Sequence, residues 1–200
     1  MKKRIILFVS FCFLFTAVNL YAETADEWRA KGQKYLDTNE FEKAHECFNK
    51  AIEIDPNHTM SLFSRGILLL TAGRFDDSIS DFSKVIVIDS GLSPAYYFRG
   101  IAYAQKKDYA KAIEDFTSSI KIDPNVARVY YYRAVAYSKL GENNKAIADL
   151  NAAIKNKPDF SQAYYARAKV YTDLGEKGKA LDDLKTACNL GVVDACKRIK

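Results

Sequence analysis

The stretch "AYYFRGIAYAQ", residues 95 to 105, returns as "VYYYRAVAYSK" at 129 to 139 and as "AYYARAKVYTD" at 163 to 173. The interval is 34 residues each time, and it organises positions well beyond the tyrosines. Arg65, Arg99, Arg133 and Arg167 keep it, as do Phe63, Tyr97, Tyr131 and Tyr165. So do Asp81, Asp115, Asp149 and Asp183, and Ala112, Ala146 and Ala180, with Ser78 and Ala44 in the earlier turns. Each period offers two stretches of about 14 helix-compatible residues with apolar positions three and four apart. Gly73, Gly141 and Gly175 sit between the stretches, where a left-handed residue is cheap for glycine. Pro56, Pro124 and Pro158 close the second stretch, because proline cannot continue a helix. The second period lacks that proline and has Pro94 at the first turn of the next helix, where its missing N–H is harmless. A fixed period of this length, with each unit too small to bury its own apolar faces, implies a stack of helix pairs.

The register resembles the tetratricopeptide repeat, whose signature runs W-x2-L-G-x2-Y, A-x3-F and Pro. The first unit reads Trp28, Lys31, Gly32, Tyr35, Ala44, Phe48, Ala51 and Pro56. The third reads Tyr96, Gly100, Tyr103, Ala112, Phe116 and Pro124, and the fifth Tyr164, Ala168, Tyr171, Ala180, Leu184 and Ala187. The resemblance implies an all-α fold, a right-handed α-solenoid of five helix–turn–helix units with a short C-terminal cap helix. The units occupy 25–58, 59–92, 93–126, 127–160 and 161–194, and the cap 192–200.

The arginine and aspartate series are 16 residues apart, on the two antiparallel helices of one unit. They are read as ion pairs: Arg65 with Asp81, Arg99 with Asp115, Arg133 with Asp149, Arg167 with Asp183. The alternative is an anion-binding arginine row, which the aspartates would cancel. Unit one has Lys31 and Cys47 at these two places, so both members differ there.

By resemblance, the first helices line a concave face onto which the second, fifth, ninth and twelfth residues of each unit look. The fifth residues are Arg29, Phe63, Tyr97, Tyr131 and Tyr165, and the ninth are Gln33, Ile67, Ile101, Val135 and Lys169. The second are Asp26, Met60, Pro94, Arg128 and Gln162. Tyr96, Tyr130 and Tyr164, with Tyr103, Tyr137 and Tyr171, are expected in the core; Tyr97, Tyr131 and Tyr165, with Phe63, are expected as an open ladder. Such a ladder either packs on neighbouring helices or grips a partner, since tyrosine supplies rigid apolar area and a hydroxyl at small entropic cost. Some family members hold a C-terminal carboxylate with Lys, Asn and Arg. Here Arg29 and Gln33 replace the first two, Ser64 stands where Asn is wanted, and Pro94 and Phe98 occupy the cation positions.

"TACNLGVVDACKRIK" ends the chain. Gly191 is expected to stop the last long helix. Cys188 and Cys196 resemble the C-x7-C arrangement of Sel1-like repeats, which implies a disulfide; two small core residues are the alternative. Cys47, His45 and His58 offer no metal-ligand spacing. His58 closes an Asp-Pro-Asn-His turn and is expected in solvent.

Lys2, Lys3 and Arg4 precede an apolar run from Ile5 to Val18, and small Ala22 follows. This is the layout of a signal peptide over 1–22, with a run short of the roughly 20 residues that span a bilayer. It predicts an exported protein of bacterial type, periplasmic or secreted. If the segment is retained, it would tether the array as an assembly subunit of an envelope complex. The 200-residue chain carries a net +5, and three of its 30 Lys and Arg lie in the first four residues; the remaining 27 face 25 Asp and Glu. That near balance excludes a nucleic-acid footprint. There is no Gly-rich phosphate loop, nucleophile elbow or HExxH, so no enzyme and no cofactor is expected. The function predicted is a non-catalytic scaffold that takes a peptide or helix of another protein in its groove; oligomeric state is not legible.

Overall fold

The computed structural model describes residues 23–199, and the proposed signal segment 1–22 lies outside them. Among the described residues there are eleven α-helices and no strand. They are α1 Ala25–Asp37, α2 Phe41–Ile54, α3 Thr59–Thr71, α4 Phe75–Ile88, α5 Ser93–Gln105, α6 Tyr109–Ile122, α7 Ala127–Lys139, α8 Asn143–Asn156, α9 Ser161–Asp173, α10 Lys177–Asn189 and α11 Val193–Ile199. The described residues divide into two compact bodies, the first ending at Ser64 and the second beginning at Arg65. None of the described helices is long and apolar enough to cross a membrane.

In the first body, Thr24 and Glu27 form a capping box that starts α1: Glu27 N donates to Thr24 Oγ1 at 3.2 Å and Thr24 N to Glu27 Oε2 at 2.7 Å. Asn39 makes the turn to α2 with φ 60°. Phe48 of α2 is fully buried against Gly32 of α1, where an added Cβ would lie 2.6 Å from the ring. The Asp55 side chain accepts from Asn57 N at 3.0 Å and shapes the Asp-Pro-Asn-His turn. His58 departs from expectation. Its Nδ1 lies 2.7 Å from Ser61 Oγ and its Nε2 3.2 Å from Asp26 Oδ1, with its side chain 15% exposed. The turn folds the ring back onto buried Ser61 instead of into water.

In the second body, consecutive helices pack on one another, most closely within the pairs α5/α6, α7/α8 and α9/α10. The second helices supply the core: Phe82, Phe116, Leu150, Val85 and Ala153 are buried. The first helices meet them with small residues, Gly66 and Gly100 against the phenylalanines, Ala134 and Ala168 further on. Gly73, Gly141 and Gly175 take φ near 75°, and Lys107 holds the same turn at φ 64°. Pro94 lies in the first turn of α5, where no helical hydrogen bond is lost. At the C-terminus, α11 packs on α10 across Gly191, and Cys188 and Cys196 are disulfide-bonded with Cα atoms 4.8 Å apart.

Candidate partner-binding face

Each arginine of the 34-residue series grips its aspartate with two nitrogens. Arg65, Arg99, Arg133 and Arg167 donate from Nε and Nη2 to Asp81, Asp115, Asp149 and Asp183 at 2.7–2.8 Å. The aspartates are buried, so the charges are desolvated and the fork geometry matters. The aspartate hydrogen bonds raise the guanidinium pKa at Arg99, Arg133 and Arg167. A third bond is not visible from the period. Nη1 of Arg99 donates to Ser83 Oγ and that of Arg133 to Thr117 Oγ1, both at 3.0 Å, and that of Arg167 to Asn151 Oδ1. Each of these three arginines thus ties two consecutive helix pairs.

Those guanidinium groups also lie over tyrosine rings. Arg99 covers Tyr96 at 5.8 Å, Arg133 covers Tyr130 and Tyr137, and Arg167 covers Tyr164 and Tyr171. Lys111, Lys145 and Lys179 approach Tyr103, Tyr137 and Tyr171 from the other helix. The six tyrosines expected in the core are half-buried instead, each with a cationic side chain over its ring. In the first body Lys31 and Lys50 lie over Trp28 in the same manner, Lys31 pairs with Glu23, and Cys47 is buried, which pushes its thiol pKa up.

The expected open ladder also needs correction, since Phe63, Tyr97, Tyr131 and Tyr165 are all half-buried. Tyr97 meets Tyr132 edge-on at 5.7 Å and Phe116 at 6.3 Å. Burial, then Tyr132, pushes its phenol up to about 12, and nearby Arg128 opposes this. Tyr131 leans on Phe160 at 5.2 Å and on Tyr132 at 5.3 Å, and burial raises its pKa too. Tyr132 and Phe160 fill the gaps that would have left the rungs standing free. The neighbouring Ile67, Ile101 and Val135 are likewise half-buried, whereas Arg128 and Lys169 are exposed. In the first body, Arg29 stands 4.0 Å from Asp26, and exposed Gln33 donates to Asp37 at 3.2 Å.

Between α7 and α9 a cleft of about 260 Å³ gathers Tyr131, Val135, Tyr165 and Lys169, over a floor of Ala134, Leu150 and Val170. Lys139 and Gln162 stand among its lining residues. Lys169 Nζ lies 4.3 Å above the Tyr165 ring, and Arg198 of α11 lies 5.8 Å from the same ring. Among the described residues no cluster of three or more His, Cys, Asp or Glu could hold a metal ion. The cleft presents an apolar floor, ring faces, amide and hydroxyl groups, and ammonium groups.

No curated protein matches the chain. Among solved structures it is similar to MamA, at 28% identity and TM-score 0.76, covering 80% of this chain and 93% of that one. It is also similar to MamA 41-end from Desulfovibrio magneticus RS-1, at 20% identity and TM-score 0.80, covering 84% and 96%. YrrB, described as "a TPR protein with an unusual peptide-binding site", superposes at TM-score 0.74 with 17% identity, covering 88% and 91%. Four family models, each described as tetratricopeptide repeat, match residues 25–58, 47–80, 98–170 and 161–190. With helix pairs in the 34-residue register throughout, this chain is a tetratricopeptide-repeat protein.

Proposed function

We propose that the chain is a non-catalytic adaptor that holds a segment of another protein against its first-helix face. The observation that supports this most is the α7/α9 cleft, which has an apolar floor and aromatic walls and is open to solvent beside exposed Lys169. A concave site with an apolar interior and a few polar groups is the usual form of a binding pocket. The peptide-binding site named for YrrB, on the same fold, agrees with this reading. The occupant is a peptide strand or short helix, laid in the groove by side-chain anchors. The test is capture of crosslinked partners from intact cells by wild-type protein and by Tyr131→Ala/Tyr165→Ala. Loss of ring anchors at an interface centre removes roughly tenfold or more in affinity. Undiminished capture by a variant with wild-type helicity would sink the proposal.

The adaptor is proposed to act after export, with residues 1–22 removed. The basic and apolar N-terminal layout supports this, as does the Cys188–Cys196 disulfide, which suits an oxidising compartment. Intact-mass measurement on protein from the native host decides it. Retention of the segment would favour the tethered assembly subunit.

A further inference from the structure

The charge on the cleft narrows what it can accept. Its lining contains two lysines, Lys139 and Lys169, and no carboxylate. A second depression of about 500 Å³ adjoins it, sharing Tyr131 and Gln162, and holds Arg128 and Lys157 against a single acid, Asp159. Arg198 adds a further cation beside Tyr165. The lysines that open the second helices are different: Lys111 has Asp108, Lys145 has Glu142 and Lys179 has Glu176 three residues earlier. Lys157 and Lys169 rest on aromatic faces, Phe160 and Tyr165. An ammonium held over a ring keeps its charge and its donors available, because the ring offers no competing carboxylate.

We infer that this face selects acidic segments, seating an apolar side chain among Tyr131, Val135 and Tyr165 and setting carboxylates against Lys139 and Lys169. This rests on the adaptor reading and adds the chemical class of the partner. Charge complementarity of this kind directs encounter and rejects basic sequences, since two like charges brought together in a partly desolvated cleft repel. It also makes binding fall with salt, because the lysines are exposed.

The experiment is selection of a random 12-residue phage-displayed peptide library on the purified protein, followed by affinity measurement on enriched peptides. The expected peptides combine acidic residues with an apolar anchor. They should lose at least tenfold in affinity for Lys139→Glu/Lys169→Glu, and their Glu→Lys counterparts should bind that variant better than wild type. Circular dichroism confirms that the exposed substitutions leave helicity intact. Neutral or basic peptides that are lost only with Tyr131→Ala/Tyr165→Ala would overturn acidic selection and leave the adaptor reading standing. Enriched peptides indifferent to both double variants, or no enrichment, would overturn the inference. The adaptor reading would then fall only if partner capture from cells also survived Tyr131→Ala/Tyr165→Ala.

Discussion

Gly100 and Phe116 form a two-residue packing rule that can be tested directly. A Cβ added at Gly100 would sit 2.7 Å from Phe116 Cε1 and 2.9 Å from its Cδ1. Phe116 is fully buried, so its ring has nowhere to retreat. Overpacking of this kind costs about 1–3 kcal/mol, and alanine returns about 1 kcal/mol through helix propensity. Gly100→Ala should therefore destabilise by about 1 kcal/mol, or roughly 2–4 °C in a chain of this size. Phe116→Leu alone removes ring contacts and leaves a gap, at about 1–2 kcal/mol. The double variant recreates Ala134 with Leu150, a pair buried one unit further on. There the methyl fills space that the ring vacates, so the double variant should be more stable than Phe116→Leu. The coupling energy should be about 2 kcal/mol, within the range found for contacting residues. Urea denaturation of the four proteins, followed by far-ultraviolet circular dichroism, measures it. Simple additivity, or a stabilised Gly100→Ala, would refute the claim that the ring dictates the glycine.

Asp149→Ala should cost about 3–5 kcal/mol, since it strands the half-buried Arg133 guanidinium; Arg133→Met/Asp149→Leu should cost much less. Both can be read from urea midpoints. Cys188→Ser/Cys196→Ser should lose roughly 2–3 kcal/mol at most, as expected for a loop of this length, and hydrogen exchange should rise first in α11. Lys107→Gly should raise the melting temperature by roughly 2–4 °C, because Lys107 holds φ 64° where Gly73, Gly141 and Gly175 serve elsewhere, a difference worth about 1 kcal/mol. Tyr97 ionises near pH 12 when folded and near 10 when unfolded. The stability tied to its burial is thus whole below pH 10 and is lost as pH rises to about 12. Phenolate absorbance should show Tyr97 and Tyr131 titrating late, and Tyr97→Phe should remove the component near pH 12; an ordinary titration would count against its burial.

The helix pairs, their turns and their stops were legible because each rests on local rules that recur in register. Gly73 and Pro124 mark their boundaries through backbone geometry alone. The small residues opposite the rings could also be read, as Gly with Phe in three units and Ala with Leu in two. The exposure of the tyrosines was not legible. Whether Tyr97 stands free or lies half-buried depends on Tyr132 and Phe116, which reach it from other helices. A residue's position within its own unit says which way it points and is silent on what other helices bring to it, Phe116 from the same unit and Tyr132 from the next.

The arginines show how far a period can inform. Arg99, Arg133 and Arg167 each reach 16 residues forward to an aspartate and 16 residues back to a neutral acceptor. The forward partner recurs as one residue type, so identity matching finds it. The backward partner is Ser83, then Thr117, then Asn151, which share only a side-chain oxygen at the right height. A guanidinium has one face to its fork and a third nitrogen beyond it, and burying the fork leaves that nitrogen in need of an acceptor. Once the Arg–Asp fork is accepted, an oxygen on the preceding helix pair is the acceptor to look for, and chemistry instead of residue identity is the pattern that reveals it.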